Sequence, residues 1–229
     1  KIIDTYGNIV FFGGAGVSTE SGIPDFRSVD GLYHQQYDYP PETILSHTFY
    51  RSHTEEFFRF YRNKMLFPKA QPNAAHKKLA EWEAEGRLKA VITQNIDGLH
   101  QAAGSRNVLE LHGSVHRNHC QRCGKFYGLE HILRTEGVPR CSCGGIIKPD
   151  VVLYEEGLDQ GTLEAAVRAL AEADMLMIGG TSLNVYPAAG LIRYYQGHKL
   201  VLLNKSPVAR DLAADLVITD PIGETLAQL

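Results

Sequence analysis

At 229 residues the chain has room for one sizeable core, and its apolar share of 44% and charged share of 21% are ordinary for a soluble globular protein. A formal net charge of -3 supplies no basic excess to neutralise phosphates, which argues against nucleic acid as the main partner. No apolar run approaches the length of a membrane span and no signal peptide is read, so no membrane association is expected and the cytoplasm is the expected compartment.

Ile9-Val10-Phe11-Phe12 is an apolar run that reads as a buried strand. Gly13, Gly14 and Gly16 follow, letting the backbone turn tightly and approach a ligand with no Cβ in the way. Ser18 and Thr19 are placed to cap a following helix, whose first N–H groups would face a diphosphate. This is the logic of a dinucleotide site at the first strand-to-helix turn. The hydride-transfer fingerprint is incomplete, because Thr19 stands where its third glycine would be. Asp25-Phe26-Arg27 then sets an acid, an aromatic and a guanidinium side by side, just after Gly22 and Pro24 break any helix. The polar, aromatic segment from Ser28 to Pro41 reads as a loop able to close over a cofactor.

Thr43 to Leu66 carries aromatics at helical spacing and predicts two short helices in a small module. Pro72 to His76 opens an amphipathic helix running through Leu79, Trp82 and Leu88, with Gly86 near its end and His76 in a structural role. Ala90-Val91-Ile92-Thr93 is a buried strand that delivers Gln94-Asn95-Ile96-Asp97 at its C-terminal end, where open α/β sheets bind ligands. An amide pair followed by an acid suits ribose hydroxyls and a carboxamide, although Asn and Asp are also common turn formers. Val108 to Leu111 is a further short strand, ending in His112-Gly113. A histidine there is commonly just a satisfied polar group, yet its ordinary pKa suits base chemistry near neutral pH.

All four cysteines lie between positions 120 and 143. Cys120-x-x-Cys123 and Cys141-x-Cys143 are separated by 17 residues, a zinc-ribbon spacing. Two disulfides would suit a secreted chain; without a signal peptide, one structural zinc held by four thiolates is the better reading, and a metal-free ribbon the alternative. Further on, Lys148 to Tyr154 reads as extended and Thr162 to Ala173 as a helix. Met175 to Ile178 is a strand ending in Gly179-Gly180-Thr181-Ser182, a second polar tip that can hold phosphate and ribose. Leu200 to Leu203 ends in Asn204, and Leu216 to Ile218 leads to Asp220. Repeated apolar strands with polar tips and intervening helices predict an α/β fold with a doubly wound, Rossmann-like parallel sheet. Residues 30–75 and 116–145 interrupt that pattern and are expected to form a smaller inserted part, a helical module and a zinc ribbon. The large part would then comprise 1–29, 76–115 and 146–229 of a single catalytic domain.

The combination Gly14-Ala15-Gly16-x-Ser18 with Ser21-Gly22-Ile23-Pro24-Asp25-Phe26-Arg27 resembles the opening signature of the sirtuins, the NAD-dependent protein lysine deacylases. The likeness recurs, in family order, at 93–100, Leu111-His112-Gly113, the first cysteine pair, Lys148-Pro149-Asp150-Val151-Val152, Gly180 to Leu183 and Val201 to Asn204. It therefore spans nearly the whole chain.

The resemblance implies removal of acetyl or other neutral acyl groups from lysine in proteins, coupled to cleavage of NAD into nicotinamide and O-acetyl-ADP-ribose. His112 would be the general base, Asn95 would position ribose and water, and Asp97 with Ile96 would hold the carboxamide. Ala15, Gly16 and Thr19 would line the diphosphate turn; Gln94, Gly180, Thr181, Ser182, Asn204 and Ile222 would complete the cofactor site. Asp25, Phe26 and Arg27 would lie over the cofactor, Phe26 limiting reversal. Phe58 and Tyr61 align where members that prefer acidic acyl groups carry a Tyr and an Arg, so a neutral acyl group is expected. Val151, Val152 and Tyr154 would receive an acetyl-lysine peptide by strand addition. The chain departs from the family at Gly13, usually Thr, at the single residue between Cys141 and Cys143, and at Tyr154-Glu155-Glu156, usually Phe-Gly-Glu. Gly13 leaves open mono-ADP-ribosyl transfer, and a catalytically lapsed NAD-binding or zinc-ribbon interaction module is the non-enzymatic alternative. A dehydrogenase fits less well, since the Asp25-Phe26-Arg27 segment has no role there.

Overall fold

The computed structural model describes residues 3–25, 38–206, 208 and 213–229. The chain opens with a 3-10 turn, Ile3–Thr5, and β1, Ile9–Gly13, followed by 3-10 turns at Ala15–Val17 and Thr19–Ser21. Three helices come next: α1 (Pro41–Ile44), α2 (His47–Ser52) and α3 (Thr54–Lys64). Then α4 (Ala74–Ala84) leads into β2 (Leu88–Thr93), α5 (Leu99–Ala103) and β3 (Val108–Glu110). The segment β4 (Asn118–Cys120), β5 (Phe126–Tyr127), α6 (Leu129–Arg134) and β6 (Ile147–Pro149) precedes α7 (Gln160–Glu172). The chain closes with β7 (Met175–Gly179), a 3-10 stretch Ala188–Tyr194, β8 (Lys199–Leu203), β9 (Leu216–Ile218) and α8 (Ile222–Ala227).

Six strands form one sheet in the order β3-β2-β1-β7-β8-β9, every neighbouring pair parallel. Apolar runs rather than alternation mark its central strands because both faces are covered. Val10, Phe12, Ala90, Ile92, Leu176 and Ile178 pack beneath α7 and the Ala188–Tyr194 stretch. Their sequence neighbours Ile9, Phe11, Val91, Met175 and Met177 face α4 and α8 through Leu79, Trp82 and Leu226. The fold is α/β with a doubly wound, Rossmann-like parallel sheet. No described helix is long and apolar enough to cross a membrane.

A third apolar cluster holds the insertions together. The small antiparallel sheet, in the order β5-β4-β6, shares a core with α1, α2 and α3 through Phe57, Phe58, Tyr61, Ile132 and Ile147. Cys120 and Cys141 are buried in that same core.

Local expectations fail where distant contacts decide. Directly after β1 come 3-10 turns rather than an α-helix, and Ser18 makes no side-chain cap hydrogen bond; its hydroxyl donates instead to Asp97 Oδ2 at 2.6 Å. The aromatic module forms three helices rather than two, since Ser46 caps α2 by accepting from Phe49 N and His53 breaks the chain before α3. Helical spacing carries on to Leu88, but Gly86 adopts φ +77 and Leu88 is the first residue of β2. Of the stretch from Lys148 to Tyr154, only Lys148 and Pro149 belong to a strand.

Candidate active site

Strand order reverses direction at β1, whose neighbours are β2 on one side and β7 on the other. A crevice at the C-terminal ends of the strands follows from that reversal. A groove of 1290 Å³ occupies it, reached by the tips of β1, β2, β7 and β8. The Gly14–Gly16 turn packs backbone to backbone on the β7 tip, with Gly16 N donating to Gly180 O at 2.8 Å. A Cβ on Gly16 would lie 2.7 Å from Gly180 Cα, so the close approach itself demands glycine. Gly13, where the family usually has Thr, has its own reason: a Cβ there would lie 2.5 Å from the Phe11 ring.

Beyond Thr93, the end of β2 is held as a rigid polar ledge. Thr93 Oγ1 accepts from Asn95 N, Gln94 N donates to Gly13 O, and Gln94 Oε1 accepts from Thr181 Oγ1 at 2.8 Å. Asp97 uses both oxygens within the chain, Oδ1 accepting from Leu99 N at 2.9 Å and Oδ2 from Ser18. Asn95 Nδ2 donates to Ser18 Oγ at 3.2 Å. From the other side His116 Nε2 donates to Asp97 O at 3.0 Å. Ser18 and His116 are the contributors that sequence reasoning missed. Ser18 was legible only as a cap, and His116 carried no signal.

His112 follows β3, and its Nδ1 lies 3.1 Å from Gln94 O. A carbonyl oxygen only accepts, so Nδ1 carries the proton and Nε2 keeps the lone pair. Burial lowers the His112 pKa, partly offset by the Gln94 carbonyl, so the ring is neutral at neutral pH. Gly113 has φ +75, and a Cβ on it would lie 1.6 Å from Asp150 O. Gly113→Ala is therefore expected to displace His112 or the Asp150–Val151 backbone, lowering Tm by several degrees in a thermal melt. An unchanged melt with full activity would contradict this packing.

The groove is lined by Ala15, Gly16, Thr19 and Asp25, by Gln94, Asn95, Ile96, Asp97 and His112, and by Gly180, Thr181, Ser182, Asn204 and Ile222. Val151, Val152 and Tyr154 line it as well. Phe26 and Arg27 lie outside the described residues. Phe58 and Tyr61 do not line the groove: both have 0% exposure and pack on each other edge to face in the apolar cluster that α3 shares with the small sheet. The helical periodicity that makes them core outweighs the alignment that places them at an acyl pocket.

At Val151 to Tyr154 part of the main chain is already bonded within the fold. Val152 N already donates to His112 O, Tyr154 N to Leu45 O and His47 N to Tyr154 O, while Lys148 Nζ reaches Val151 O. Where the family glycine is replaced, Glu155 keeps a left-handed φ of +75. Its carboxylate accepts from Thr48 N at 2.9 Å and Thr48 Oγ1 at 2.7 Å, offsetting the backbone strain.

Two further histidines are sealed behind the ledge. Burial pushes His76 down to about 4, with the Asp97 charge opposing, and burial pushes His100 down to about 3, with His76 adding to it. Both folded values lie below the ordinary 6.5, so below pH 6.5 the unfolded chain binds protons that the native chain refuses. Each ring is expected to remove about 2 kcal/mol of stability between pH 6.5 and pH 5. Urea unfolding at several pH values checks this. His100→Phe should flatten the acid slope, and a variant with the wild-type slope would refute the assignment.

The cysteine sulfurs converge, all four within 4.8 Å of one another, with Cys120 Sγ to Cys143 Sγ at 3.4 Å and Cys123 Sγ to Cys141 Sγ at 3.6 Å. A tetrahedral zinc with bonds of about 2.3 Å has sulfur–sulfur edges of about 3.8 Å. The residues fit that ion despite the single spacer in the second pair. Four thiolates close the coordination sphere, which is a structural site.

Comparison with known proteins agrees with this geometry. The Sir2 family profile matches residues 14–187. The chain is 62% identical over 230 residues to an NAD-dependent protein deacetylase of Clostridium acetobutylicum, covering 99% of this chain and 94% of that one. It is 58% identical to a protein of the same name from Clostridium perfringens, covering 100% and 96%. A solved Sir2 bound to acetylated peptide superposes with a TM-score of 0.85 at 38% identity, covering 99% of this chain and 93% of that one. A Sir2 complex with p53 peptide and NAD+ gives a TM-score of 0.86 at 40% identity, with 99% and 93% covered. From the Gly14–Gly16 turn to the cysteine cluster, then, the chain belongs to the Sir2 family.

Proposed function

We propose that the chain is an NAD-dependent protein lysine deacetylase, acting on acetyl-lysine in proteins or peptides and yielding nicotinamide and O-acetyl-ADP-ribose. The observation that carries this reading is the His112 imidazole: neutral, with its lone pair on Nε2, and lining the same groove as the glycine turn and the Asn95–Asp97 ledge. When bound, NAD supplies a ribosyl carbon that loses nicotinamide and captures the acyl oxygen. His112 takes the proton of a ribose hydroxyl at Nε2, and burial keeps the ring ready to do so at neutral pH. Asn95 orients the ribose, while Asp97 and Ile96 hold the carboxamide. Ala15, Gly16 and Thr19 line the diphosphate turn; Gly180, Thr181, Ser182, Asn204 and Ile222 take the adenosine half. Asp25 lines the groove, and Gln94, tied to Thr181, braces the two strand tips against each other.

One side of the groove is lined by Leu45, Met65, Ile96 and Val115, which suits a neutral acyl group. The peptide would lie along Val151, Val152 and Tyr154. The site falls between the proposed large part, 1–29, 76–115 and 146–229, and the proposed small part, 30–75 and 116–145. Clustered thiols suited to zinc fit a reducing compartment, and we place the protein in the cytoplasm. The test is incubation of the protein with NAD and an acetyl-lysine peptide, with both products read by mass. Label from NAD on protein, with no acyl ester formed, would replace deacetylation by ADP-ribosyl transfer.

A further inference from the structure

His76 lies outside the groove, has 0% exposure and takes no part in the chemistry above. Its surroundings nevertheless fix every proton around it. At the start of α4, Asn73 Oδ1 accepts from Ala75 N at 2.9 Å and His76 N at 3.4 Å, and Asn73 N donates to His76 Nδ1 at 3.1 Å. An amide N–H can only donate, so Nδ1 holds the lone pair and the ring proton sits on Nε2. That Nε2 lies 3.4 Å from Ser18 Oγ. The Ser18 hydroxyl has one proton and two lone pairs. It accepts from His76 and from Asn95 Nδ2, and its own proton is thereby directed to Asp97 Oδ2 at 2.6 Å.

We propose that His76 is a positioning residue of the reaction: acting through Ser18, it fixes the hydroxyl proton and so holds Asn95 and Asp97 in their cofactor-binding geometry. The proposal rests on the deacetylase reading. Its direction follows from saturation. With the third bond of Ser18 removed, one of its lone pairs is left unpaired and the hydroxyl can rotate away from Asp97, loosening both side chains on the ledge. His100 packs against His76 edge to face, ring centroids 4.8 Å apart, and both rings are closed off from solvent. Burial keeps His76 uncharged, so it directs Ser18 without competing for the Asp97 carboxylate.

Two substitutions separate this role from a plain helix cap. His76→Asn offers an oxygen to Asn73 N, where Nδ1 stands now, but does not reach Ser18. His76→Gln reaches Ser18 with its amide nitrogen and gives up the cap bond. The expected result is that His76→Asn raises the KM for NAD about tenfold, the worth of one lost hydrogen bond, with near wild-type Tm. His76→Gln should melt earlier yet keep the KM for NAD within about threefold. If activity instead follows stability, with His76→Asn retaining the wild-type KM and His76→Gln losing it, the positioning role is overturned. Wild-type turnover of NAD with acetyl-peptide is the control: its absence would sink the deacetylase reading itself, and is a different failure from equal KM values in an active enzyme.

Discussion

His112→Ala is expected to slow deacetylation by about 100- to 10,000-fold, the contribution of a positioned general base. The argument is geometric before it is electrostatic. His112 Nδ1 is spent on Gln94 O, so Nε2 is the ring's one basic atom, and Gly113 with Asp150 O behind it sets the ring's position. In the proposed reaction the base acts after nicotinamide leaves, so nicotinamide exchange should fall far less than formation of the acyl ester. Both are read by mass from one reaction. Because burial lowers the His112 pKa, the ring stays unprotonated to below its ordinary 6.5, and the acid limb of the wild-type rate profile should lie below that pH. A folded His112→Ala variant with undiminished ester formation would remove His112 from the mechanism.

The parts of the site that were legible in the sequence are those whose determinants are local. An apolar run followed by glycines marks the ends of β1 and β7, and an apolar run ending in Asn204 marks β8, so the polar strand tips could be named before their meeting was seen. What stayed hidden depends on partners far along the chain. Ser18 bonds a carboxylate 79 positions away, and no periodicity distinguishes that from a helix cap. Glu155 keeps a glycine's backbone conformation because its carboxylate finds Thr48, 107 positions earlier. Phe58 and Tyr61 show the opposite error, for their helical spacing already marked a buried face and only alignment drew them toward the substrate. Position in a family motif reports where a residue stands along the chain; packing decides which way it points.

Stripping the cysteine cluster of metal is expected to produce the largest change in stability. A structural zinc contributes on the order of 10 kcal/mol to a small module, comparable with the about 5–15 kcal/mol that holds a whole domain. Here the loss cannot stay local. Cys120 and Cys141 are buried in one apolar cluster with Phe57, Phe58 and Tyr61 of α3, so four uncompensated thiols would loosen the helical module with the ribbon. The glycine turn and the β7 tip belong to the sheet, whose clusters do not include the cysteines. Chelation, or Cys141→Ser, should therefore open residues 116–145 to protease and raise the KM for acetyl-peptide first. Affinity for NAD should fall less, because the diphosphate turn lies outside the ribbon-side cluster that takes in Val115, Met65 and Leu45, and of the proposed cofactor residues only Ile96 packs on that cluster. Metal analysis should find one zinc per chain before chelation and none after. A metal-free protein with an unchanged melting temperature would mean that the apolar core alone holds the ribbon closed, and that the convergence of the sulfurs is a consequence of packing rather than its cause.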